Sequence, residues 1–120
     1  MSFDLNLINP YIRVAMPSVL TKGTVIEPRI IFDYELIYVE DGQFTLVYNG
    51  ISYKCTKGAF LLLRPGVTHS FHVNETDLYQ PHIHFDITYS PKSVYIPVCY
   101  KDMPQLTPKE RGLIQNDVFD

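Results

Sequence analysis

Two cysteines in 120 residues leave this chain without a disulfide framework. Cys55 and Cys99 have no metal-type spacing, and they read as reduced thiols of a cytosolic protein. No apolar run approaches the roughly 20 residues needed to span a bilayer. The N-terminus carries an early Asp4 and no basic-then-apolar segment, so no secretory signal is expected. A net charge of −3, without a basic helix or a helix-turn-helix pattern, argues against nucleic-acid binding by this segment itself. What remains is 46% hydrophobic with nine tyrosines, a composition suited to one globular β domain rather than to disorder.

Turn chemistry organises the middle of the chain. Asn49-Gly50 suits a two-residue type I′ hairpin turn. That turn would pair Tyr48 with Ile51, Leu46 with Tyr53 and Phe44 with Cys55, all on one face, so register and hydrophobic pattern agree. Downstream, residues 58–69 read GAFLLLRPGVTH: an apolar strand buried on both faces, a Pro65-Gly66 reversal, then His69 opening the next strand. Residues 30–40 are apolar on both parities and predict one long buried strand. Further strands are expected near 60–64, 69–73, 79–88 and 93–98, giving many short strands as in a jelly roll. Residues 3–8 alternate crudely before Pro10 and suggest an arm lying across the barrel.

The end of the chain changes character. Thr107-Pro108-Lys109-Glu110 is a capping box with proline at the first helical position. The predicted helix starts near Pro108, carries Leu113, Ile114 and Val118, and meets no stop signal before Asp120. The expected division is residues 1–104 as the β domain with its arm, and 105–120 as the start of a helical connection. The chain is expected to continue beyond that point.

The segment from Gly58 to His69 resembles the second motif of the cupins, small jelly-roll barrels, with its proline one place late. Counting back from Gly42, the first cupin motif places its glutamate on Glu35 and its opening glycine on Gly23. Its two histidines would fall on Arg29 and Ile31. Isoleucine cannot bind a metal and arginine repels one, so the usual cupin metal centre is not expected. Residues 78–87 (LYQPHIHFDI), with Tyr34–Val39 and Leu61–Gly66, resemble strands in the sensing domains of AraC-type transcription regulators. The resemblance spans about residues 23–90. It implies an all-β fold, a cupin-like jelly-roll barrel with a short C-terminal helix.

It also implies an effector-sensing and dimerisation domain that binds a small metabolite, such as a sugar, inside the barrel. Strand parity would place Arg29, Ile31, Asp33 and Glu35 on one site face, with His69 and Phe71, and Gln80, His82 and His84, on the facing strands. The expected ligand-binding residues are Arg29, Glu35, His69, Phe71, Gln80, His82 and His84. Of these, Phe71, Gln80 and His82 match contacts in sugar-responsive members of the resembled family. Glu35 is equally suited to an ion pair with Arg29, His69 to a backbone hydrogen bond, and Phe71 to plain core packing. His72 faces away from His69 and is expected at the surface.

Neither catalytic residues nor a cofactor nor a metal are expected. The expected partners are a small-molecule effector, a second copy of the chain, and DNA only through a region absent from this chain, with no membrane. The alternative is a free-standing cupin enzyme, an isomerase or dioxygenase, with a rearranged metal site of Glu35, His69, His82 and His84. A third reading is a cupin-like module whose interior is simply core.

Overall fold

Asn49 and Gly50 both take positive φ, 51° and 81°, as a type I′ turn requires. The flanking strands, β5 (Gln43–Tyr48) and β6 (Ile51–Thr56), pair in the register the turn dictates, with Tyr48 opposite Ile51, Leu46 opposite Tyr53 and Phe44 opposite Cys55. A computed structural model describes residues 5–89, 100–102 and 105–119. The strand expected at 93–98 and Cys99 lie outside the described residues, while Cys55 is a buried free thiol.

Two antiparallel sheets face each other as a jelly roll. One has the order β1 (Tyr11–Met16), β10 (His82–Asp86), β4 (Tyr34–Tyr38), β7 (Phe60–Leu63). The other has the order β11 (Tyr100–Asp102), β3 (Val25–Ile31), β8 (His69–His72), β5, β6. A short pair, β2 (Val19–Leu20) with β9 (Leu78–Tyr79), closes one end. Between the sheets lies an apolar core that includes Ile31, Ile37, Leu46, Leu63 and Phe71.

The strand expected over residues 30–40 is in fact two strands. The chain bends at Phe32-Asp33 and passes from the five-stranded sheet to the four-stranded one. β3 also begins earlier than the apolar run, because Pro28 sits where the register slips between Ile26 and Arg29, a place where the ladder needs no N–H from it. The late strand is likewise interrupted at Gln80-Pro81. Residues 5–7 form a single 3₁₀ turn, and the segment after it, β1, is an edge strand with a bulge between Ile12 and Val14.

β7 is not buried on both faces as its sequence suggests. It is the edge strand of its sheet, and Phe60 and Leu62 are 68% and 41% exposed on the outer side. The Pro65-Gly66 reversal is present, with Gly66 at φ 77° as a type II turn demands.

The capping box forms at Thr107, whose hydroxyl accepts from Glu110 N while the Glu110 carboxylate accepts from Thr107 N. The helix it opens is a single turn, α1 (Pro108–Arg111), rather than one running to the last residue. Beyond Gly112 the backbone finds better partners outside a helix. Gln115 N donates to Phe32 O at 2.8 Å, and Val118 N donates to the Tyr34 hydroxyl at 2.7 Å. Leu106, Leu113 and Ile114 cover Ile30 and Phe32, a second small apolar cluster. No helix among the described residues is long and apolar enough to cross a membrane.

Candidate functional site

The two sheets present two polar clusters to the space between them. On the four-stranded sheet, His82 and His84 lie two apart on β10 and so share a face. The β10–β4 ladder sets His84 directly opposite Glu35. Ligand-capable atoms of Glu35, His82 and His84 all lie within 4.8 Å of one another. Glu35 and His84 are buried and His82 is half-buried.

Each of these imidazoles has its Nδ1 fixed. His82 Nδ1 lies 3.2 Å from the carbonyl oxygen of Gln80, which can only accept, so Nδ1 carries the hydrogen. His84 Nδ1 lies 2.9 Å from Asp33 Oδ1. Both rings therefore turn their Nε2 atoms away from these partners, and that of His84 stands 3.6 Å from Glu35 Oε2. Burial pushes the Glu35 carboxyl up, against the nearby charges of His84, His82 and Arg29. Asp33 is raised by burial too, with His84 and Arg13 opposing.

Behind this cluster is a buried ion pair the sequence reading missed. Arg13, from the bulged edge strand β1, donates Nε to Asp86 Oδ1 at 3.0 Å and a terminal nitrogen to Asp86 Oδ2 at 2.8 Å. Its Nε also lies 3.4 Å from Asp33 Oδ2. The guanidinium thus holds Asp33, which in turn orients His84. Asp86 continues the His82, His84 alternation and was readable on that ground; Arg13 was not, because the bulge at Ile12/Val14 breaks the parity of β1.

The second cluster belongs to the five-stranded sheet. Arg29 pairs with His69 across β3 and β8, and its Nε donates to His69 Nε2 at 3.1 Å. His69 Nδ1 reaches Val67 O at 3.4 Å. The ring is neutral: burial and then the Arg29 charge lower its pKa to about 4. The Arg29 guanidinium also stands 5.8 Å from the centre of the Phe71 ring, a cation–π contact. Phe71 packs against Phe44 at 4.8 Å between centroids and is part of the core.

The expected residues therefore fall into two groups, Glu35 with His82 and His84, and Arg29 with His69 and Phe71. Arg29 is common to both, its charge acting on His69 and on Glu35. Gln80 stands apart; its amide donates to Ser18 Oγ at 3.0 Å, and its buried Oε1 has no hydrogen-bond partner among the described residues. His72 is half-buried on the other face of β8. The cupin metal set does not fit this interior: Ile31, at one of the two histidine positions, is wholly buried in the apolar core.

The model of the AraC-like ligand binding domain matches residues 22–89, and the chain belongs to that family. Comparison with curated protein sequences finds no match. Among solved structures, a salicylate 1,2-dioxygenase from Pseudaminobacter salicylatoxidans is similar at 24% identity and TM-score 0.53, over 57% of this chain and 19% of that one. A predicted oxalate decarboxylase from Thermotoga maritima is similar at 20% identity and TM-score 0.56, over 65% of this chain and 68% of that one. The chain thus spans about a fifth of the first of these proteins. These likenesses establish the cupin-type jelly-roll fold.

Proposed function

We propose that the chain is the effector-sensing and dimerisation domain of an AraC-type transcription regulator in the cytoplasm, and that it is not an enzyme. The family match carries this reading, and the polar residues gathered between the sheets support it. A small polar metabolite of the sugar class is bound by Arg29, Glu35, His69, Phe71, Gln80, His82 and His84. Arg29 and the imidazoles read hydroxyls, and the apolar walls exclude water. DNA is contacted through a region outside this chain. Signalling requires the metabolite to bind one arrangement of the domain better than another, since equal affinity for both shifts nothing.

The test is a thermal-shift screen of monosaccharides and other small polar metabolites, followed by titration of any hit. A ligand at a hundred times its Kd adds about 2.7 kcal/mol to stability. A saturable hit weakened by Arg29→Ala supports the reading, and a flat screen with well-folded protein opposes it. Sedimentation of the same protein tests dimerisation.

The cluster of Glu35, His82 and His84 gives weight to a second reading, a free-standing cupin isomerase or dioxygenase, because two histidines and a carboxylate are a common set for metal catalysis. Turnover of a substrate by metal-loaded protein would favour it.

A further inference from the structure

The donor atoms of Glu35, His82 and His84 converge within 4.8 Å of one another. We propose that these three residues hold a divalent transition-metal ion of the zinc type, through Nε2 of each histidine and a carboxylate oxygen of Glu35. Two of the three ligands come from β10, a strand outside the two cupin motifs, so this is not the cupin metal set in its usual positions. The proposal stands whether or not the domain reports to a promoter.

Spacing is the first argument. Zinc bonds of about 2.0–2.2 Å to nitrogen and oxygen at tetrahedral angles set donor atoms roughly 3.3–3.5 Å apart. His84 Nε2 and Glu35 Oε2 are already 3.6 Å apart, and the full trio lies within 4.8 Å. A small rotation of His82 about its bond to Gln80 O, at the half-buried end of the cluster, closes the remainder.

The outer partners are the second argument. Metal-binding histidines nearly always give the other ring N–H to a carboxylate or a backbone carbonyl, which fixes the tautomer. His84 gives Nδ1–H to Asp33, and His82 gives its own to Gln80 O. Arg13 then holds Asp33 in place.

Glu35 supplies the third. It is 3% exposed, and its Oε1 is buried with no hydrogen-bond partner among the described residues. A carboxylate so placed needs a positive partner, and a cation between the two imidazoles provides it. His69 is outside this set, because its Nε2 already accepts from Arg29. Three protein ligands leave a coordination position for water or for an oxygen of a small ligand.

The test uses the whole chain, stripped with a chelator, shown to be folded by circular dichroism and a cooperative melt, and titrated with Zn²⁺ by calorimetry. Co²⁺ serves as a spectroscopic probe of the coordination sphere. The expected result is one equivalent per chain, with ligand-field bands for Co²⁺ that report nitrogen and oxygen donors. His82→Ala, at the half-buried position, should weaken binding by roughly a hundredfold or more, beyond the 10–100-fold usual for an outer partner. Asp33→Asn should fall in that 10–100-fold range. His72→Ala, on the other face of β8, should leave the stoichiometry unchanged. If the Asp33→Asn variant does not fold, His82→Ala alone decides. Absence of stoichiometric Zn²⁺ binding by folded protein would overturn the proposal and identify the cluster as an ion-paired imidazole. Undiminished binding in His82→Ala would overturn it too. Either failure leaves the metabolite reading standing, with Glu35, His82 and His84 then meeting the ligand directly instead of through a bound ion, and the thermal-shift screen tests that reading separately.

Discussion

Arg29 Nε points its hydrogen at His69 Nε2, 3.1 Å away, so a permanent cation occupies the lone pair a proton would need. The imidazole is 1% exposed and titrates at about 4 instead of 6.5. Between those values the unfolded chain binds a proton that the folded one refuses, so stability rises with pH there. The contribution is complete above pH 6.5 and is lost as pH falls toward 4. Its ceiling is about 3 kcal/mol, from about 1.4 kcal/mol per pKa unit. Urea midpoints at pH 5 and pH 7 should therefore differ more for the native protein than for His69→Gln. Equal differences would show that His69 is not buried neutral.

Removing Arg13 should be costly in a different way. The guanidinium is 6% exposed and holds Asp86 and Asp33 together. Arg13→Met removes the cation that two buried carboxylates share, a loss of about 3–5 kcal/mol. Chemical denaturation at neutral pH measures it. A change under about 1 kcal/mol would place the pair in solvent, where ion pairs contribute little.

One hydroxyl makes two of the bonds that hold the folded-back tail. Tyr34 OH donates to Asp117 Oδ1 at 3.0 Å and accepts from Val118 N at 2.7 Å, while Arg64 Nε lies 2.7 Å from Asp117 Oδ2. Tyr34→Phe should cost about 1 kcal/mol or somewhat more. Amide exchange should speed up at Val118 far more than in the core strands. Uniform loss of protection would contradict a local role.

How much of this was legible in the sequence follows from how local each feature is. The hairpin at Asn49-Gly50 was readable to the residue because turn type, register and side-chain parity all lie within a dozen positions. The capping box at Thr107 was readable for the same reason. The bend at Phe32-Asp33 was passed over, since no glycine or proline marks it and β-branched and aromatic residues continue on either side of it. The length of α1 was misread because the competing partners, Phe32 O and Tyr34 OH, are more than 80 residues upstream. Parity alone put His82 and His84 on one face. That Glu35 stands opposite His84, while His69 answers to Arg29, depends on which strands pair and in what register. β1 and its Arg13 escaped because a bulge breaks the alternation that would have marked them.

A core substitution on the sheet opposite His69 gives a reference for the pH effect. Ile37 is wholly buried on β4, within the apolar cluster. Ile37→Ala should cost about 2–5 kcal/mol through lost burial and a cavity. It should leave the pH dependence assigned to His69 intact.

The measurement that reaches the central claim most directly is equilibrium binding of a metabolite identified by the screen, with the ligand recovered and analysed after prolonged incubation. A sensing domain predicts one saturable site per chain, loss of affinity in Arg29→Ala, and a ligand returned chemically unchanged. Conversion of the ligand to product by the intact protein would contradict that account and make the chain an enzyme.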